Sequence, residues 1–404
     1  QPLPSLRPDQ AAIARHPARF KVLACGRRWG KTTLGLAMAA RRAERGARVW
    51  WVAPTYGLAF HPWRAFKAHF AGRWVHKLES ERFIELESGG TLTIRSADDP
   101  DSLRGVGLDF VVVDEAAFMA EEAWTAALRP ALSDRRGRAL LISTPRGRNW
   151  FYRAFQRGLD PRARGWKAWR FPTSANPRIA AHEVDEAREG LPQRIFEQEY
   201  LAEFLPDGGE VFHDVRRAAT ASFGAAPVLG HRYVMGVDFG RYLDFTALAV
   251  LDIGEGREEE PTPVMVALER FNEVNWGIQR TRIIRLARTW QVQAILAEAN
   301  AMGEPNIEAL RTEGLPVGSF TTTAASKPPL IESLVKAIED RAIALLPDPG
   351  LLAELEAYTY RTDPYTGRTR YGAPPGLHDD TVIALALAWK LASTPRPALA
   401  VAEV

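Results

Sequence analysis

The chain has 404 residues, enough for about two or three domains with cores of their own. An apolar fraction of 46% with 25% charged residues is that of a folded, water-facing protein, and no apolar run reaches the roughly 18 residues of a helical membrane span. The net charge is +3, carried mostly by arginine, whose planar fork suits phosphate; the one cysteine argues against a disulfide framework or a thiolate cage and suits a reducing cytoplasm.

In chain order, residues 1–20 read as a helical lead-in that carries Gln10 up to the first strand. The apolar run Val22 to Ala24 then ends in the turn Cys25-Gly-Arg-Arg-Trp-Gly-Lys-Thr-Thr33, and a helix with apolar Leu34, Leu36 and Met38 follows. Strand, loop and helix in this order make a phosphate-binding loop, whose backbone N–H groups and positive helix end hold the phosphates of a nucleotide. Lys31 is expected to reach the γ-phosphate and the Thr32 hydroxyl to ligate Mg²⁺, with Gly30 and Thr33 completing the cradle. The usual pattern has glycine where Cys25 stands, so the loop is a variant. A glycine-rich turn with a surface lysine is the competing reading. Gln10 is placed to read adenine edges or is a surface glutamine, and Arg27 and Arg28 lie inside the loop.

Further strands are expected at 48–54, 82–86, 91–95, 110–115 and 139–143, with a helix at 58–70. Continuous apolar strands alternating with helices predict a parallel sheet covered on both faces, with its ligand at the carboxyl ends of the strands. Val111-Val-Val-Asp-Glu115 delivers two adjacent carboxylates at such an end. Asp114 is expected to hold the Mg²⁺ shell and Glu115 to polarise the attacking water. Ser143-Thr-Pro145 ends the next strand, where short hydroxyls can sense a γ-phosphate. Arg104 precedes Gly105 ahead of the carboxylate strand. Residues 1–150 thus read as an ATPase core, 151–205 as a small helical, aromatic lid, and 206–230 as a connection.

A second α/β domain is expected over 231–393, with strands at 233–238, 246–252, 263–268 and 294–298. An acidic turn at 254–261, a helix at 276–290, a final helix at 380–390 and a short tail after 393 complete it. Asp238 interrupts an apolar strand and needs a partner for its charge. Asp244 follows it, Glu298 ends another apolar strand, and His378-Asp-Asp380 starts the last helix. Carboxylates on two strands and a helix start match an RNase H-like site that holds two Mg²⁺ or Mn²⁺ ions for phosphodiester cleavage. The blander reading makes Asp379 or Asp380 a helix cap and Glu298 a solvated side chain. The arginine-dense run 135–170 is a candidate DNA track or a solvated basic face.

The order of these motifs resembles the large terminase subunit of tailed bacteriophages, over about residues 5–390. The matching residues are Cys25 to Thr33, Ser102-Leu-Arg-Gly105, Val111 to Glu115, Ser143 to Pro145, Gly236-Val-Asp-Phe-Gly240, Glu298 and His378 to Asp380. The resemblance implies an ASCE-type P-loop ATPase with a helical lid, followed by an RNase H-like nuclease. Lys31, Thr32 and Asp114 would bind ATP–Mg²⁺, Glu115 would be the catalytic carboxylate, and Arg28 or Arg27 would act within the same subunit. Arg104 would act as an arginine finger on a neighbouring subunit. Asp238, Glu298 and one of Asp379 or Asp380, with Asp380 favoured, would hold the nuclease metal, and Lys327 would approach the scissile phosphate or remain a surface lysine. Implied partners are double-stranded DNA gripped through its phosphates, a portal protein, a small terminase subunit and further copies in a ring, in the cytoplasm of the infected host. The rival readings are another ATP-dependent helicase or repair nuclease, and a non-catalytic DNA-binding assembly protein.

Overall fold

The computed structural model describes residues 3–206, 208–240, 245–255, 262–272, 274–300, 303–363 and 369–394. The chain separates into one unit of Gln1–Asp207 with Thr362–Arg368 and another of Gly208–Arg361 with Thr369–Val404. Among the described residues no helix is long and apolar enough to cross a membrane.

In the first unit, α1 (Pro8–Arg15) leads to β1 (Phe20–Cys25), α2 (Lys31–Ala43), β2 (Arg48–Ala53), α3 (Phe60–Phe70) and β3 (Trp74–Leu78). Next come β4 (Phe83–Leu86), β5 (Thr91–Ser96), β6 (Phe110–Asp114), the single turn α4 (Arg129–Ala131), β7 (Arg138–Ser143) and α5 (Trp150–Leu159). The unit ends with β8 (Trp166–Phe171), α6 (Ala181–Gly190) and α7 (Gln193–Glu199). The strands form one sheet in the order β3-β4-β5-β2-β6-β7-β1-β8. Pairing is parallel from β5 to β8, and β3 and β4 add an antiparallel edge. The apolar strands fold this way because both faces are buried. Phe110 and Val112 of β6 join one core cluster, while Val111 and Val113 join the cluster on the opposite face.

Two features depart from the sequence reading. The stretch after Asn149, expected to be helical, contributes β8, which pairs with β1 at the sheet edge. Its mixed burial, with only Ala168 fully buried, suits a strand at the sheet edge. The antiparallel strand β3 has no counterpart among the expected elements.

The second unit opens with β9 (Gly208–Glu210) and α8 (Val215–Ala218), inside the stretch read as a connection. It continues with β10 (Tyr233–Asp238), β11 (Thr246–Asp252), β12 (Val264–Phe271), α9 (Trp276–Thr289), β13 (Ala294–Glu298), α10 (Gly303–Thr312) and β14 (Val317–Phe320). After these come α11 (Lys327–Glu339), α12 (Pro349–Ala357), β15 (Thr359–Thr362), β16 (Thr369–Gly372) and α13 (Asp380–Ala392). The main sheet runs β12-β11-β10-β13-β14, and β16, β15 and β9 form a small second sheet. β10 to β12 are an antiparallel meander, whereas β13 and β14 run parallel to β10. Helix α13 lies directly on β10, and Gly236 is what permits it. A Cβ there would stand 1.9 Å from the Ala384 carbonyl oxygen. Asp244, most of the acidic turn at 254–261 and the tail from 395 lie outside the described residues.

Candidate functional site

The loop between β1 and α2 is built by its backbone. Arg28 has φ 61° and Gly30 φ 101°, so the chain twists left-handed twice before the helix begins. Such turns gather N–H groups toward an anion at the helix start. Cys25, the off-pattern residue, is the buried end of β1, and the need for glycine falls one step later. A Cβ at Gly26 would stand 2.4 Å from the Tyr200 carbonyl and 2.6 Å from Thr173 Oγ1. The loop is clasped at that point. Gly26 donates to the Phe171 carbonyl, Thr173 Oγ1 donates to the Arg27 carbonyl at 2.8 Å, and Asn176 Nδ2 to the Arg28 carbonyl at 2.7 Å. From the other side Arg7 Nη1 donates to the Trp29 carbonyl at 2.8 Å, while Trp29 stacks on Phe171.

Lys31 begins α2 and is 9% exposed. Its Nζ is 3.1 Å from Glu115 Oε1 and donates to Thr144 Oγ1 at 3.4 Å. The strand order explains this meeting, since β7, which ends at Ser143, lies between β1 and β6. Ser143 Oγ donates to Glu115 Oε2 at 3.3 Å and accepts from the Ala117 N–H. Ser143, at the end of β7, therefore touches the carboxylate rather than serving as a bare strand exit. Glu115 has φ 51°, a left-handed conformation that costs a non-glycine residue on the order of 1–2 kcal/mol. Strain of that kind is kept where a side chain must be aimed. Asp114 is buried with Oδ1 lacking a hydrogen-bond partner, and its carboxyl is pushed up to about 7 by burial and then by the charge of Glu115. An orphaned carboxylate oxygen beside a loop of N–H donors fits a Mg²⁺–phosphate ligand. Thr32 and Thr33 are half-buried on the first turn of α2.

The remaining residues of this site fall into place unevenly. Gln10 is neither a surface glutamine nor free to read a base. Buried, it accepts from the Arg7 N–H at 3.0 Å and donates to the Gly30 carbonyl at 3.0 Å, which ties α1 to the loop. Arg27 is held by Glu199 through Nε at 2.5 Å, and Arg28 is exposed. Arg104 is exposed at the end of a single 3₁₀ turn and pairs with Asp101 at 3.1 Å. The arginine run 135–170 is no unbroken cationic track, because Arg135 pairs with Asp109, Arg153 with Glu121, Arg162 with Asp160 and Arg170 with Glu203. Sequence reasoning missed Arg7, Thr173, Asn176 and Glu199. The only local signal for them was the polar stretch 172–177 inside an aromatic region.

In the second unit, Asp238 ends the central strand β10 and is buried. Its carboxyl is raised well above the usual range, by burial first, then by its hydrogen bond to Glu298 and by the charges of Glu298, Asp380 and Asp379. The sheet brings Glu298 alongside because β13 runs parallel to β10, and Gly236 brings the start of α13 down beside them. Asp380 is pushed up to about 6 by burial, then by Glu354 and Asp379. Its buried Oδ2 has no hydrogen-bond partner; His378 Nδ1 is 3.7 Å away. Asn300 Nδ2 donates to Glu298 Oε1 at 3.1 Å. Lys327 is not a free surface lysine, since its Nζ donates to Asp379 Oδ2 at 3.3 Å. Among the described residues no three His, Cys, Asp or Glu side chains close into a metal cage. Mg²⁺ needs only one or two carboxylates, with water and phosphate oxygens completing its shell, so this oxygen donor set fits it.

Residues 22–216 match the family described as terminase large subunit, T4likevirus-type, N-terminal. The chain is 30% identical over 433 residues to the terminase large subunit of Thermus virus P23-45, covering 94% of this chain and 86% of the relative. It is likewise 30% identical over 437 residues to that of Thermus phage G20c, with the same coverage. Among solved structures, the large terminase of a thermophilic bacteriophage aligns over 95% of this chain and 98% of its own with a TM-score of 0.60. At 13% identity that likeness shows a shared fold. With nearly its whole length matched to relatives at 30% identity, the chain belongs to the family of phage terminase large subunits.

Proposed function

We propose that this chain couples ATP hydrolysis to the translocation of double-stranded DNA into a procapsid and cuts the concatemer with a metal-dependent nuclease. One observation carries the reading. A single chain holds Lys31, Glu115 and Asp114 together at a phosphate-binding loop, and Asp238 and Glu298 on a second sheet beside Asp379 and Asp380 at the start of α13.

At the first site the loop N–H groups and Lys31 hold the β- and γ-phosphates. Glu115, braced by Ser143, orients the attacking water. Arg28 supplies positive charge from the same subunit. Arg104, exposed and next to a flexible-backbone glycine at Gly105 (φ 88°), reaches the γ-phosphate of a neighbour in a ring. Thr32 and Asp114 would hold Mg²⁺ at this site, and Asp238, Glu298 and Asp380 or Asp379 would hold Mg²⁺ or Mn²⁺ at the second, where the cation would supply charge neutralisation on phosphate oxygens and activate a water. Residues 151–205 act as the lid of the ATPase, and the clasp from Thr173, Asn176 and Glu199 is how lid and loop stay in register. DNA is gripped through its phosphates, because a motor must accept any sequence. A portal protein and a small terminase subunit complete the assembly in the cytoplasm of the infected host.

Two variants test the division of labour. Lys31→Ala is expected to lose ATP hydrolysis and keep metal-dependent plasmid cleavage, and Asp238→Ala to do the reverse. Plasmid cutting by Asp238→Ala at the wild-type rate would remove the second assignment.

A further inference from the structure

Helix α13 begins with two adjacent carboxylates, and neither caps its own helix. Asp379 sits at the N-cap with φ −132° and ψ 15° and makes no side-chain bond to the free amides of the first turn. Its Oδ2 is held by Lys327 instead. An Asp at this position ordinarily turns its carboxylate onto the second or third amide of its helix. Here that bond comes from another element. Glu354, on α12, accepts through Oε2 from the Thr381 backbone N–H at 2.9 Å and from Thr381 Oγ1 at 2.5 Å.

Glu354 is 7% exposed, and an acid so deeply placed persists only with good partners. Arg270 on β12 is the counter-charge, its Nη2 standing 2.8 Å from Glu354 Oε1. The guanidinium carbon of Arg270 lies 3.6 Å from the centroid of the Phe245 ring. Phe245 in turn meets His378 edge-on at 5.0 Å, two residues from Asp380. The support thus runs from β12 through α12 to the first turn of α13 and back along the residues that precede it.

We infer that Glu354, with Arg270 as its counter-charge, is a positioning residue of the nuclease centre: an external cap that fixes the first turn of α13 and leaves the Asp380 carboxylate, whose Oδ2 has no hydrogen-bond partner, free for a divalent cation. The inference rests on the reading of Asp238 and Asp380 as ligands of that cation. Removing Glu354 alone both loosens the turn and strands the Arg270 charge near the site, and both effects weaken cation binding.

The test uses the full chain, with Mn²⁺ as the probe. Mn²⁺ binding is counted from the electron paramagnetic resonance signal of free Mn²⁺, and plasmid cleavage is followed against Mn²⁺ concentration. Glu354→Gln keeps the size and drops the charge. The double variant Arg270→Met with Glu354→Met removes the cap while leaving no charge buried alone, so it folds even where the single variant does not. In either, half-saturating Mn²⁺ is expected to rise by about ten-fold or more, as outer-shell changes do, with the maximal rate at saturating Mn²⁺ held within about three-fold. Wild-type Mn²⁺ dependence in both variants overturns the inference. So does a fall in maximal rate and melting temperature with half-saturating Mn²⁺ unchanged, which is the signature of a purely structural residue. Asp238→Ala separates the two levels: if it binds Mn²⁺ as the wild type does, the reading of the centre itself is wrong whatever Glu354 does.

Discussion

Replacing Asp114 by Asn isolates one proton and its effect on stability. In the folded chain the Asp114 carboxyl is pushed up to about 7, against an ordinary value of 3.8, by burial and by the neighbouring Glu115 charge. Between these two values the unfolded chain has released its proton while the folded chain still holds it. The folded state then binds more protons, so stability falls as pH rises; the contribution is whole below pH 3.8 and is lost through about pH 7. At about 1.4 kcal/mol per pH unit, the loss between pH 5 and pH 8 comes to about 3 kcal/mol. Asparagine carries no such proton. The difference between wild type and Asp114→Asn therefore cancels the groups that do not sense Asp114, Asp380 among them, and keeps this carboxyl with its coupling to Glu115.

The assay is urea or thermal unfolding in EDTA, following the transition that added ATP and Mg²⁺ displace. The variant should gain on the wild type by about 3 kcal/mol from pH 5 to pH 8, or on the order of 10 °C in melting temperature. With Mg²⁺ and ATP bound the wild-type slope should flatten, because a cation now balances the carboxylate. A difference that stays level within about 0.5 kcal/mol across that range would show that Asp114 titrates as an ordinary carboxyl. The burial argument would then fail.

Three further changes follow from the geometry. Gly236→Ala drives a methyl into the Ala384 carbonyl, so it should cost the second unit about 1–3 kcal/mol and abolish Asp238-dependent plasmid cleavage while ATP turnover persists. Thr173→Val deletes the buried hydroxyl bonded to the Arg27 carbonyl; a loss of about 1 kcal/mol in melting experiments and a raised KM for ATP are expected. Arg104→Ala should bind ATP normally and hydrolyse it poorly. Mixed with Lys31→Ala chains under ring-forming conditions it should regain turnover, and failure of the mixture to exceed either variant alone counts against a finger supplied by a neighbour.

The residues that can be read from sequence are those that violate their local pattern. Asp238 stands out because a charge ends the apolar run of β10, and Asp114 and Glu115 stand out after Val111 to Val113 for the same reason. Lys31 follows a glycine at a strand-to-helix junction. What stays hidden is whatever depends on residues distant in sequence. Nothing local distinguishes Asn176 or Thr173 from other polar loop residues, yet each bonds the backbone of a loop more than a hundred positions earlier. Gln10 reads as a contact for adenine edges or as a surface residue because its partners are main-chain atoms, which leave no trace in a pattern of side chains. Strand β8 reads as helix because Trp166 and Trp169 give an aromatic run whose period is too short to settle. Glu354 sits with Glu356 in an otherwise largely apolar helix, where both acids read as a solvated edge until the Thr381 amide is seen to point at Glu354.

The two carboxylate sites are alike in placement and differ in how they are balanced. Asp114 and Asp238 both end a strand with a neighbour on each side, β2 and β7 in one sheet and β11 and β13 in the other, so burial is imposed by topology. Each is followed in space by a second acid that raises its proton affinity further. At the first site a lysine is already in place, with Lys31 lowering the Asp114 value and pairing with Glu115. At the second, the nearby cations pair with other acids of the centre and of its support, Lys327 with Asp379 and Arg270 with Glu354. Asp238 and Glu298 are left to share a proton or a metal. The nuclease centre should therefore depend on divalent cation for its own charge balance more than the ATPase centre does. Chelation above neutral pH should accordingly lower the melting temperature of the second unit by more than that of the first, and Asp238→Asn should erase that difference. An equal response of the two units would mean that a buried proton, rather than a cation, holds the Asp238–Glu298 pair together.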